Sequence, residues 1–116
     1  MIKDSQNRKC FDTGATRDIQ EGKGRYDLLP FIAIDELAKH CESGAKKYGE
    51  RNCEKGIPLH SLLDSAIRHL TEYMLGYDDE PHLRAALWNI SYAIYVEKNY
   101  PELQDIPSRL NLPKED

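Results

Sequence analysis

Three segments of the chain repeat apolar side chains every three to four residues, the period of an α-helix with one buried side. They begin near Pro30, Ser61 and Pro81, and Gly49 and Gly76 are suited to end the first two because glycine readily takes the left-handed conformation that follows a helix. No stretch longer than four residues alternates in the manner of a half-buried strand. The sequence therefore predicts an all-α, compact helical domain of three main helices.

The helix ends and buried sides can also be predicted. Ser61 and Asp64 are expected to open the second helix, and the acidic run at 77–80 is expected to cap the third. The buried stripe of the first helix is expected to contain six residues: Ile34, Leu37, Ala38, Cys41, Ala45 and Tyr48.

The length of 116 residues fits one domain, residues 1–116, with three parts. Residues 1–29 read as an irregular phosphate-binding arm, 30–98 as the helical core and 99–116 as an irregular, proline-containing tail. The third helix carries Trp88, Tyr92 and Tyr95 outside its main apolar stripe. A helix that is apolar on more than one side usually has two partners. We therefore expect a homo-oligomer that completes a helical bundle.

Composition excludes several classes of function. The net charge of −4 argues against binding to extended nucleic acid. No apolar run approaches the ~18 residues of a membrane span, and no signal peptide is recognisable at the N-terminus. The three cysteines lack the spacing of a disulfide framework or zinc knuckle. We expect a cytoplasmic protein without a membrane partner.

The arm has the composition of a phosphate cradle, in which glycines expose backbone N–H groups beside cations. It lacks the spacing of a P-loop or a Rossmann fingerprint, and a solvated polar arm remains the alternative. The predicted substrate-binding residues of the arm are Thr13, Arg17, Lys23 and Arg25.

A second cationic group follows the first helix and is suited to bind phosphate and to stack on a base. The alternative is a cationic helix end that stabilises the helix dipole. Its predicted substrate-binding residues are Lys47, Tyr48, Arg51 and Asn52.

A third group combines imidazoles and carboxylates on the second and third helices. His69 and Glu72 share a helix face, and an antiparallel hairpin would bring them close to Asp79 and His82. Such a set is able to bind Mg²⁺ or Mn²⁺, and His69, Asp79 and His82 are the predicted metal ligands. Capping acids with packed histidines are the alternative. On the first helix, Glu36 and His40 lie four residues apart, where a solvated ion-paired face is the alternative.

Four ordered motifs resemble the dATP/dGTP diphosphohydrolase N-terminal domain family of bacteriophages. They lie at residues 11–30, 44–56, 64–70 and 82–89, so the resemblance spans about residues 11–95. It implies an all-α neighbour of the MazG-like pyrophosphohydrolases, which remove pyrophosphate from purine deoxynucleoside triphosphates with a metal ion. Under this resemblance Glu36 and Glu72 are the predicted catalytic acids, and Asn89 is a further predicted substrate ligand.

Two functional hypotheses remain open at this point. The chain is either a metal-dependent pyrophosphohydrolase acting on dGTP or dATP, or a phage module that sequesters a linear or cyclic signalling nucleotide of host defence without turnover. Both hypotheses place it in the host cytoplasm if it is phage-encoded. A purely structural helical subunit ranks last, because the polar motifs lie off the apolar stripes.

Overall fold

The computed structural model of the chain describes residues 8–111. The backbone forms two compact units, one ending at Pro30 and one beginning at Phe31. Within the described residues, no helix combines the length and apolar character needed to cross a membrane. The prediction of an all-α domain with three main helices is confirmed, and the helices are α1 (Phe31–Tyr48), α2 (Leu59–Met74) and α3 (His82–Asn99).

The first unit contains a small antiparallel hairpin that the sequence did not predict. Strands β1 (Arg8–Cys10) and β2 (Thr16–Asp18) pair with Lys9 opposite Arg17. Each strand has only three residues and is largely exposed, so neither one carries a readable alternation of apolar and polar side chains. A short 3₁₀ turn, Tyr26–Leu28, follows the hairpin.

Helix ends follow the predicted glycines, whereas helix starts do not follow the predicted caps. Gly49 and Gly76 have φ angles of 92° and 88°, the left-handed conformation expected after a helix. By contrast, α2 begins at Leu59, upstream of Ser61, and neither α2 nor α3 has a side-chain cap on its N-cap residue. The carboxylate of Asp105 instead accepts a hydrogen bond from the His60 N–H in the first turn of α2.

The apolar core of the second unit lies between α2 and α3, and the tail packs against it. Its buried residues come from both helices and from the 3₁₀ turn Asn52–Lys55. The Tyr100 hydroxyl donates a hydrogen bond of 2.7 Å to the Glu54 carbonyl, which fixes the start of the tail. Two further 3₁₀ turns, Pro101–Leu103 and Pro107–Arg109, follow. The core cluster consists of Cys53, Leu59, Leu62, Ala93 and Val96.

Helix α1 half-buries only Leu37 and Ala45 of the predicted apolar stripe, and it also turns a polar side toward α3. Ile34 and Cys41 are exposed, while Glu36 and His40 are half-buried. The reason is polar pairing, because the Arg84 guanidinium lies 3.5 Å from Glu36 and the His40 ring packs on an aromatic ring of α3. The order of these contacts shows that α1 and α3 run parallel.

Candidate metal and nucleotide site

Two histidine rings meet where α2 ends and α3 begins. The short connection between these antiparallel helices brings the last turns of α2 against the first turn of α3. The Nδ1 atoms of His69 and His82 are 3.0 Å apart, and both residues are buried, at 7% and 2% exposure. Two ring nitrogens at this distance require a proton or a cation between them.

Asp79 determines which nitrogen of His82 is available. Its Oδ1 lies 2.8 Å from His82 Nε2, so Nε2–H donates to the carboxylate and Nδ1 carries the lone pair in the neutral ring. This hydrogen bond lowers the pKa of Asp79. Asp79 therefore contacts the nitrogen that points away from His69, which suits an orienting residue better than a ligand sharing one ion with His82 Nδ1.

Two other carboxylates face the paired ring nitrogens. Glu72 Oε2 lies 3.2 Å from His82 Nδ1, and Glu80 Oε1 lies 3.5 Å from His69 Nδ1. Ligand-type atoms of His69, Glu80 and His82 all lie within 4.8 Å of one another. Lone pairs of nitrogen and oxygen that converge in this way fit a divalent cation in donor type and spacing.

A half-buried arginine of α3, Arg84, contacts α1. Arg84 is paired with Glu36, whose second oxygen accepts a hydrogen bond of 3.2 Å from Lys39. Burial, with the positive charge of Arg84 as a smaller cause, lowers the pKa of His40, which keeps that ring neutral near pH 7. Arg84 Nε and His40 Nδ1 are buried without a hydrogen-bond partner within residues 8–111. The predicted catalytic residue Glu36 therefore lies in an ion-pair network beside the histidines.

A separate cavity of about 350 Å³ lies at the C-terminal end of α1. Arg51 takes the left-handed conformation there, at φ 59°, and forms a 2.8 Å ion pair with Glu54. Lys47, in the last turn of α1, has its ammonium 5.2 Å from the centre of the Tyr48 ring. The structure thus brings the second predicted group together, and Tyr48, Arg51 and Asn52 line the cavity with Cys41, Trp88 and Tyr92.

Asn89 is not brought to this cavity. Its side chain is buried at 7% exposure, on the side of α3 that faces α2. Its amide donates a hydrogen bond of 2.9 Å to the Ala85 carbonyl one turn earlier. This hydrogen bond fixes the Asn89 side chain inside the α2–α3 pair.

The predicted residues of the arm lie in the first unit. Lys23 and Arg25 line a broad concave surface, to which Lys9 also contributes. The space within this surface has a volume of about 1130 Å³. Arg25 is held by two hydrogen bonds to Asp27, at 2.9 and 2.8 Å, which raise the pKa of Arg25 and lower that of Asp27. The remaining two predicted residues take hairpin positions: Thr13 accepts a hydrogen bond from the Ala15 N–H, and Arg17 lies on β2.

Sequence reasoning did not select several of the residues that the structure places at these sites. The sequence predicts a capping acid at Glu80 and a surface for self-association at Trp88 and Tyr92. A pattern was present, because Arg84, Trp88 and Tyr92 recur every four residues and therefore share one face of α3. On this face of α3 a cation is followed by two aromatic rings, and on α1 the carboxylate of Glu36 is followed four residues later by the His40 ring. These two matching patterns indicate that the face of α3 lies against α1.

The chain was compared with protein-family models, curated proteins and solved structures. A family model described as dATP/dGTP diphosphohydrolase, N-terminal, matches residues 13–106. No match was found among curated proteins or among solved structures.

Proposed function

Because the chain belongs to the dATP/dGTP diphosphohydrolase N-terminal domain family, we propose that it hydrolyses dGTP or dATP to the monophosphate and pyrophosphate. The observation that carries this proposal is the convergence of His69 Nδ1 and His82 Nδ1 with the carboxylates of Glu72 and Glu80. Phosphoryl chemistry asks a protein mainly for positioning and for stabilisation of negative charge, and this cluster is suited to both.

His69, Glu80 and His82 would hold Mg²⁺ or Mn²⁺. Carboxylates suit both ions, whereas two imidazoles favour Mn²⁺, so both ions belong in any test. A bound ion lowers the pKa of a water molecule and neutralises phosphate charge. Asp79 would fix the orientation of the His82 ring through its Nε2–H.

Glu72 and Glu36 would take different parts in the reaction. In the proposed step, a water oxygen attacks the α-phosphorus, and the bond from this phosphorus to the oxygen bridging to the β-phosphorus breaks. Glu72, which lies at the cluster, accepts a proton from the attacking water, and pyrophosphate leaves with the bridging oxygen. Arg84 lies beside the cluster and would neutralise phosphate charge, while Glu36 holds Arg84 in position.

The cationic groups are proposed as phosphate ligands. Lys23 and Arg25 supply positive charge at the concave surface of the first unit, and Lys47 supplies it in the last turn of α1. Replacing a phosphate ligand is expected to raise the KM for the triphosphate more than it lowers kcat, because the ground state and the transition state share most of that contact.

We also propose that the chain self-associates and works in the cytoplasm. α1 contacts one side of α3, through Arg84 and Trp88. On the opposite side of α3, exposed apolar residues of α2 and α3 form one apolar face. Most of them come one position after a buried residue in the sequence. Six side chains make up this face, between 40% and 82% exposed: Ile67, Leu70, Met74, Leu83, Ile90 and Ile94. Ile94→Lys should reduce the mass measured by sedimentation equilibrium, whereas a loss of mass in Ile32→Lys alone would place the interface on α1.

The function is tested by incubating the purified chain with deoxy- and ribonucleoside triphosphates in Mg²⁺ or Mn²⁺ and separating the products by chromatography. We expect the monophosphate and pyrophosphate from dGTP or dATP. Glu72→Gln should abolish turnover, and Glu42→Gln, an exposed residue of α1, should retain it.

Two other results would contradict parts of the proposed function. Turnover that Glu72→Gln and His82→Ala both retain would remove the cluster from the reaction. An intact nucleotide bound without turnover under every metal condition would replace the enzyme with the sequestering module, for which cyclic nucleotides are the next ligands to test.

A further inference from the structure

The cavity at the C-terminal end of α1 has walls suited to a flat aromatic ligand. Its volume of about 350 Å³ lies in the range of small-molecule sites. We propose that this cavity is the nucleobase pocket and that it takes the base of a purine nucleotide. The inference rests on the proposed function only for the identity of the ligand as a nucleotide, and it assigns new roles to Trp88, Tyr92 and Asn52.

The aromatic wall supplies the stacking surface. The centroids of the Trp88 and Tyr92 rings lie 4.9 Å apart with an interplanar angle of 51°, and the centroids of the His40 and Trp88 rings lie 5.4 Å apart. Each ring is therefore held by a neighbour before any ligand binds. Both side chains are half-buried, which leaves part of their surface available to a base. Stacking on such rings depends little on base identity, so selectivity must come from the polar edge of the cavity.

Asn52 and Arg51 form that polar edge. The Asn52 amide makes no hydrogen bond to any residue between 8 and 111, and it lines the cavity half-buried. An asparagine amide pairs with N6 and N7 of adenine, and an arginine pairs with O6 and N7 of guanine. Both pairings use N7, an atom that pyrimidines lack. The edge therefore favours purines over pyrimidines.

The position of the cavity relative to the histidine cluster fits one extended nucleotide. Tyr92 lies ten positions after His82 on α3, which corresponds to a rise of about 15 Å along the helix. The paired side chains Glu36 and Arg84, followed by His40 and Trp88, occupy the interval between α1 and α3. Phosphates at the cluster and a base at the cavity would thus lie about 15 Å apart along α3.

Trp88 makes the pocket directly observable because it is the only tryptophan in the sequence. The test titrates the full chain, in EDTA, with dGMP, dAMP, dCMP and dTMP while recording tryptophan fluorescence. We expect dGMP or dAMP to quench Trp88 at concentrations at least about tenfold lower than the pyrimidine nucleotides. Inorganic tripolyphosphate should leave the emission unchanged.

Three variants separate base recognition from folding. Asn52→Ala should weaken purine binding about tenfold or more and leave the weak pyrimidine binding unchanged. Asn99→Ala, an exposed asparagine near the end of α3, is the matched control and should bind as the parent chain does. Tyr92→Leu should lose quenching, whereas Tyr92→Phe, which keeps the ring, should retain it.

The outcomes separate this inference from the proposed hydrolysis. Purine-selective quenching in a chain that hydrolyses nothing would support the pocket and refute the enzyme. Hydrolysis of all four deoxynucleoside triphosphates at equal rates, with no change in Trp88 emission, would support the enzyme and overturn the pocket. Equal affinity for 7-deaza-dGTP and dGTP, and for 7-deaza-dATP and dATP, would overturn the role of N7.

Discussion

Asp105 binds the first turn of α2 from 45 residues further along the chain. Its Oδ1 accepts a 2.9 Å hydrogen bond from the His60 N–H, and its Oδ2 contacts His60 Nδ1. The N-cap residue of this helix is Pro58, which offers no side-chain cap. The tail therefore supplies the group that satisfies a free N–H at the start of α2.

Replacing Asp105 with alanine should lower the thermal midpoint of unfolding. The midpoint of the variant should also fall less than that of the parent chain when the pH is lowered. The hydrogen bonds from His60 lower the pKa of Asp105, so ionisation favours the folded chain. This contribution is complete above the unfolded carboxyl pKa of about 3.9 and is lost as pH falls through the lower folded value. Circular dichroism melts between pH 7 and pH 2.5 provide the measurement. Asp64→Ala is the control, and equal effects of the two substitutions would contradict the capping role.

Gly56 is a position where a methyl group should be costly. Its φ is +104°, and an added Cβ would lie 2.8 Å from Leu103 Cδ1. We expect Gly56→Ala to lower the free energy of unfolding by about 1–3 kcal/mol, because a side chain is strained in this conformation. Gly44 is the matched control within α1, since nothing lies within 4 Å of its added Cβ. Gly44→Ala should raise the stability by about 0.5–1 kcal/mol. Denaturant unfolding measures both changes, and a neutral Gly56→Ala would contradict the strain.

Local patterns predicted the helices, but long-range polar contacts determined several other features. Periodicity and the glycines at 49 and 76 were sufficient for the helical segments and two of their ends. The start of α2 was not predictable locally, because its capping carboxylate, Asp105, lies in the tail. The orientation of α1 was not predictable from apolar spacing, because the Glu36–Arg84 pair places a polar side of that helix against α3.

The histidine cluster was only partly predictable for a related reason. The spacing along a helical hairpin indicated that His69 and His82 would meet. Whether Asp79, Glu72 or Glu80 faces the shared nitrogens depends on the course of the turn between α2 and α3. Sequence spacing alone does not determine that course.

Asp79→Asn should weaken metal binding without removing it. The carboxylate accepts the His82 Nε2–H and is expected to keep the ring oriented with Nδ1 toward His69. Loss of such a partner typically lowers metal affinity about 10- to 100-fold. Isothermal titration with Mn²⁺ compares the variant with the parent chain and with Asp78→Asn, which changes the neighbouring acid. Unchanged affinity in Asp79→Asn would show that the orienting bond is dispensable.

The Cys53 thiol should resist alkylation in the folded chain. Burial raises its pKa to about 11, and only the thiolate reacts. Cys10 and Cys41 are exposed and should react with iodoacetamide at pH 8, whereas Cys53 should react only after unfolding in guanidinium chloride. Since the folded pKa lies above the unfolded value of about 8.5, the contribution of this thiol to stability is complete below that pH and falls as pH rises toward 11. Peptide mapping by mass spectrometry identifies the modified residues. Modification of Cys53 in the native chain as fast as that of Cys41 would show that the core around α2 and α3 opens readily.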